Sequence, residues 1–189
     1  LQQSILSGPI GSIAVQLIMW SGETEQQVMI DWTLIDSIDA SLDFSNLVAN
    51  LARPFSGWTA IGEAISFSYP QFSTNDFTGT NKIIDVSGDG LNNKGTTPDS
   101  ARNIALANGV DTINGIVISD DQDVENEYVN NVKGGDNSFV LVTNDFQSFQ
   151  GSIEKKLIAE VTGTVPLEAV QVSAPGSILM GLFALFFII

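Results

Sequence analysis

The segment Ile83–Asn93, IIDVSGDGLNN, places acid and hydroxyl side chains at the end of an apolar run. Ile83, Ile84 and Val86 read as a short buried strand, and Asp85, Ser87 and Asp89 alternate with them into a turn where Gly88 and Gly90 flank Asp89. In an open parallel sheet, ligands gather beyond the carboxyl ends of the strands. A carboxylate with hydroxyls nearby, approached closely past glycine, suits a hard cation. The competing use of Asp89 is to cap a turn. A second segment, Phe55–Ile65 (FSGWTAIGEAI), puts Thr59 where a loop passes into a helix. Its hydroxyl suits either an N-cap or a cation in front of the sheet.

Composition narrows the chemistry. The 189 residues include no cysteine and no histidine. Thiolate zinc sites, disulfides, cysteine nucleophiles and histidine bases are thereby excluded. A metal would need oxygen ligands, which favours Mg2+, Mn2+ or Ca2+. The formal net charge is −15, with only 7 Lys and Arg, so a phosphate-binding stripe is not available and nucleic acid is not an expected partner. Hydrophobic residues make up 43%, enough for an ordinary core in one domain. The first residue is Leu1 and no signal peptide precedes the first strand, which leads us to expect an N-terminally truncated chain.

The elements that must position these residues follow from hydrophobic patterning. Ser12–Ser21 (SIAVQLIMWS) is a nearly continuous apolar run, as expected of a strand buried on both faces. After the polar break at Glu23–Gln26, Gln27–Leu34 resumes strand character, predicting an antiparallel hairpin. Helical spacing covers Asp39–Leu51, with Asp39 or Ser41 as cap, and Thr59–Phe72, whose end Pro70 shapes. Lys82–Val86 is a strand, Pro98–Asn108 a helix closed by Gly109, Thr112–Ser119 a strand, Asp123–Val132 a weak acidic helix and Ser138–Thr143 a strand. A last helix runs from Asp145 to about Val161. Alternating strands and helices predict an α/β fold with a doubly wound, mostly parallel sheet and one antiparallel edge hairpin.

The segments GWTAIG and SGDG, about 30 residues apart, together resemble the von Willebrand factor A (vWA) domain. In that family, a metal-ion-dependent adhesion site (MIDAS) takes ligands from three loops: Asp-x-Ser-x-Ser after the opening strand, then a Thr, then an Asp. The resemblance assigns the metal ligands Thr59 and Asp89. The Asp-x-Ser-x-Ser loop is absent, and with it the first strand, which in this fold lies mid-sheet between Ser12–Ser21 and Lys82–Val86. Its neighbours would then face each other across an unpaired gap, and cation binding should be weak. SIAVQLIMWSG, IIDVSGDGLNNKG and ARNIALANGV–TINGIVI are similar to a bacterial exported subgroup of unknown function, DUF1194-like, over residues 1–161. The resemblance implies a divalent-metal-dependent protein-binding module rather than an enzyme. Its partner would be a protein ligand supplying a carboxylate.

Beyond the domain at 1–161, residues 162–176 read as a linker and 177–189 as an uncharged C-terminal segment ending LFALFFII. The stretch from Val172 to Ser177 loosely resembles exported-protein sorting signals. The expectation is an anchor to the membrane or cell envelope, with a buried or swapped hydrophobic helix as the alternative. Two other functions stay in view. One is a metal-assisted hydrolase using Asp85 and Asp89. The other is a structural envelope protein in which Thr59 and Asp89 only cap. Asp121, Asp123 and Glu125 alternate like an EF-hand start, but Asn126 stands where glycine is required and Val132 where the bidentate Glu belongs. Gly88–Gly95 has neither P-loop nor dinucleotide spacing. Trp20, Trp32 and Trp58 are read as packing residues, Trp58 also lying beside the proposed ligand face.

Overall fold

A strand without polar gaps is stable only where both of its faces are covered, and β1 (Ile13–Trp20) is buried at every position. The structure, a computed structural model, describes residues 12–143 and the backbone of residues 182–188. β1 turns back through Ser21–Glu25, where Ser21 N donates to Glu25 O, into the antiparallel edge strand β2 (Gln26–Ile35). Helix α1 (Ile38–Ala49) packs against β2. Neither Asp39 nor Ser41 caps it: the extended residue is Ser37, whose hydroxyl accepts from Ala40 N at 3.1 Å. Helix α2 (Ile61–Ser68) starts later than its spacing implied, with Ala60 as N-cap, and ends earlier because a 3-10 turn at Tyr69–Ser73 holds Pro70 at its start.

From there the alternation is as expected. Strand β3 (Lys82–Gly88) leads to α3 (Pro98–Ala107), then β4 (Thr112–Ile118), α4 (Gln122–Glu127) with a π turn at Tyr128–Val132, and the strands β5 (Gly134–Gly135) and β6 (Val140–Thr143). Gly109, at φ +89°, supplies the left-handed residue that closes α3. Asp121 caps α4 by accepting from Asp123 N at 2.9 Å, so the acidic stretch at its start is a helix cap. The helix expected at 145–161 and the linker at 162–176 lie outside the described residues.

The sheet runs in the order β2-β1-β7-β3-β4-β5, with β6 also paired to β4. β3–β4 and β4–β6 are parallel. Strand β7 (Leu182–Ile188) is antiparallel to both β1 and β3, so β1, β3, β4 and β6 point the same way. The fold is thus an α/β sheet whose strands mostly run in one direction. Besides the expected edge hairpin it holds two further antiparallel strands, the short β5 and the central β7.

That central strand corrects two expectations. The gap foreseen between β1 and β3 is filled: Ile18 and Val86 each pair with Ala184, and Trp20 and Ser87 pair with Leu182 and Phe183. The segment expected to be a terminal anchor or helix places its residues 182–188 inside the sheet as a strand. The physical reason is shared patterning, since a strand covered on both faces needs the same uninterrupted apolar run that a membrane segment needs. No helix among the described residues is long and apolar enough to cross a membrane.

One face of the sheet, lined by Ala14, Ile18, Trp20, Ile84, Val86, Ile113 and Val117, packs on Ile61, Ala64 and Ile65 of α2 and Ala101 and Ala105 of α3. A second cluster of Ile116, Ile118, Phe139 and Leu141 is separate from it. Trp20 is buried, and Trp32 packs on Phe72 with ring centroids 5.6 Å apart. Tyr128 is wholly buried beneath Gly115, where a Cβ would stand 2.8 Å from the ring, and its hydroxyl has no hydrogen-bond partner. Burial, reinforced by the carboxylates of Asp89 and Glu127, pushes the phenol far up, so it stays neutral. An unpaired buried hydroxyl costs about 1–3 kcal/mol. Tyr128→Phe should therefore be neutral or raise the melting temperature by a few degrees. A clear fall in calorimetry would show that the hydroxyl is satisfied.

Candidate functional site

Three chain segments meet at the edge where β1 and β3 end. Ser21, just past β1, donates its hydroxyl to Trp58 O at 2.8 Å and accepts from Ala60 N at 2.8 Å. The loop before α2 is therefore fixed to the end of β1. It is fixed again to the loop after β3, where Thr59 N donates to Asn93 Oδ1 and Asn93 N donates to Thr59 O, both at 2.9 Å. A third clasp joins Glu63 Oε1 of α2 to the Thr96 backbone N–H at 2.8 Å and to its hydroxyl at 2.7 Å.

These clasps bring Thr59 to the turn that carries Asp89. A Cβ on Gly90 would stand 3.3 Å from Thr59 Oγ1, so glycine there leaves room for the hydroxyl. The capping use of Thr59 does not occur: Ala60 is the N-cap of α2, and the first-turn N–H of Gly62 donates instead to Asn92 Oδ1 at 3.4 Å. Asp89 is exposed at the mouth of the site, yet partial desolvation pushes its carboxyl above the usual range, against the opposing pull of its own backbone N–H and of Arg53. Beside it, Trp58 is 57% exposed and Lys94 Nζ lies 4.6 Å from the centre of its ring. Arg53 and Lys94 thus put positive charge at this mouth in a chain of net charge −15.

Asp85 and Ser87 do not join the group. Both are 2% exposed within β3, and Asn114 Nδ2 reaches Asp85 Oδ1 at 3.4 Å. Four residues of extended chain place Asp85 about 13 Å from Asp89. A two-carboxylate centre built on that pair, as the hydrolase reading requires, is not formed. Asn93, Glu63 and Thr96, which are not among the expected site residues, hold the site together across more than 30 positions. The tandem asparagines after SGDG were the available signal.

Residues 1–165 match the family described as "Protein of unknown function (DUF1194)". The chain belongs to the DUF1194 family. No curated protein matches it. Among solved structures it is similar to proximal thread matrix protein 1 from the mussel byssus, determined with a zinc-occupied MIDAS motif, at 20% identity and a TM-score of 0.56. That match covers 76% of this chain and 35% of the mussel protein, so the chain spans about a third of its relative's length. At this identity the similarity speaks for the fold alone, a vWA-like α/β sheet.

The oxygen atoms gathered here match a hard cation in kind but not in number. Thr59 and Asp89 would offer two oxygen donors, whereas such cations take six or more. Among the described residues no three His, Cys, Asp or Glu side chains come together as a metal-binding group. The central strand β7 has the sequence LFALFFI and carries no side-chain oxygen.

Proposed function

We propose that this DUF1194 chain is a vWA-type protein-binding module of a bacterial exported or envelope protein. Its contact edge is the mouth around Thr59, Asp89 and Trp58, and a weakly held divalent cation there adds to the affinity. The observation that carries the reading is the convergence of the Thr59 hydroxyl on the Asp89–Gly90 turn, held by paired bonds to Asn93. A cation with two protein ligands keeps open positions for water and for a carboxylate from a protein partner. Arg53 and Lys94 favour the same acidic group, and exposed Trp58 offers an aromatic anchor of the kind enriched in interfaces. That the mussel protein, of similar fold, carries a zinc-occupied MIDAS motif lends support to a divalent ion in this reading. Mg2+, Mn2+ and Ca2+ are the ions expected here.

The test is thermal and optical. A dissociation constant on the order of 1 mM, at the weak end for oxygen sites, implies about 1.4 kcal/mol of stabilisation at 10 mM cation. That is a rise of roughly 3–6 °C in melting temperature for a chain of this size. Mn2+ should quench Trp58 in parallel. Asp89→Ala should remove both effects, and equal responses in the variant would reject the site. Proton and cation compete for the same carboxylate. Because the Asp89 carboxyl titrates above the usual range, affinity should fall from a correspondingly higher pH as the solution is acidified.

A second reading has its own observation. With no oxygen ligand on β7, the chain would be a structural envelope protein that meets its partner without metal. In that case Asp89→Ala leaves partner affinity unchanged, and Trp58→Ala reduces it.

A further inference from the structure

The slot between β1 and β3 cannot stand empty. Every residue of β1 is buried, as are Ile83–Gly88 of β3, and both strands turn their inner backbone groups toward β7. Unpaired, those groups would leave two buried ladders unsatisfied. The strand that fills the slot is joined to the rest of the sheet in an unusual way. Thr143 ends β6 and Leu182 begins β7, with 38 residues, 144–181, between them.

The distance to be bridged is short by comparison. β6 pairs β4, which pairs β3, which pairs β7. Three strand spacings amount to about 14 Å. Because β7 is antiparallel to β3, its first residue lies at the edge where β6 ends. A connection of 38 residues reaches about 130 Å when extended. A connection of that length permits β7 to enter its own sheet without requiring it to do so. The inserted segment LFALFFI is uncharged and contains no proline, so it forms the same ladder in any copy of the slot.

We propose that the slot between β1 and β3 accepts β7 from a second copy of this chain, giving a strand-exchanged dimer. The bonds are identical in both arrangements, so chain concentration against the tether's effective concentration decides between them. The partner is thus an identical chain, and the surface it recognises is the paired inner edges of β1 and β3.

The absence of cysteine from the chain makes the test direct. Ser87 and Phe183 are facing partners across β3 and β7. Facing residues in an antiparallel pair stand close enough for a disulfide. Full-length Ser87→Cys and Phe183→Cys chains are mixed, refolded together and oxidised, at on the order of 10 µM and of 1 mM, a range over which a segment of the same chain and one of another chain compete for the slot. The expected product is a covalent heterodimer whose crosslinked peptide joins position 87 of one chain to position 183 of the other, with a yield rising with concentration. The double variant in one chain should close on itself when dilute. Closure of the double variant with no 87–183 heterodimer at either concentration would overturn exchange. Failure of both would overturn occupancy of the slot by β7. Val15→Cys with Phe187→Cys repeats the test across β1 and β7, should the Ser87 substitution disturb folding.

Discussion

Ala184→Pro should lower the melting temperature by roughly 6–12 °C and strip hydrogen-exchange protection from β1 and β3 together. Ala184 sits inside β7, facing Ile18 on one side and Val86 on the other. Proline removes one ladder donor, fixes φ, and is tolerated in sheets only at edges, strand starts or bulges. One buried carbonyl left unpaired costs about 1–3 kcal/mol. At the upper figure that gives the stated shift for a chain of this size, where 1 kcal/mol is roughly 2–4 °C. The exchange pattern is the more specific readout. If β7 closes the sheet, amides of β1 and β3 open together, although 61 residues of chain separate Lys82 from the end of β1. Unchanged protection in the variant would mean that residues 182–188 do not complete the sheet.

Gly62→Ala should destabilise the chain and weaken the cation response at once. Glycine is usually a poor choice near a helix start, and alanine would gain up to about 1 kcal/mol in helix propensity. Here a Cβ at position 62 would meet Thr96 O at 2.1 Å and Thr97 O at 3.1 Å, both backbone atoms. Overpacking against groups that cannot rotate away costs about 1–3 kcal/mol or more, so the clash outweighs the propensity. Relief requires α2 and the 92–97 loop to separate. That movement strains the Glu63–Thr96 bonds and the Thr59–Asn93 pair. A lower melting temperature together with a lost Mn2+ response is expected. A variant as stable as the parent would show that the helix and loop are not in contact.

Legibility in the sequence divided along physical lines. β1, β3 and β4 were readable because a strand covered on both faces announces itself as an apolar run. Asp89 stood out because glycines flank it at a strand end, and Thr59 because it lies where a loop passes into a helix. What joins them was not readable, because Asn93, Glu63 and Thr96 act across more than 30 positions and carry no local period. The N-cap of α1 is Ser37 and not the expected Asp39 or Ser41, because capping follows backbone conformation, which the spacing of polar residues does not reveal. The use of LFALFFII was ambiguous in principle, since apolarity on every side suits both a bilayer and the middle of a sheet.

The position of β7 also sets the order in which the chain can fold during synthesis. β1 and β3 emerge early, yet the strand that lies between them is complete only when residue 188 has been added. At about 5–20 residues per second, the two ladders wait several seconds for their common partner. Contacts between residues 13–20 and 182–188 are among the most distant the chain can make, and such contacts slow folding. Until they form, the nascent chain presents two unpaired strand edges, and this interval is when it most needs chaperone protection.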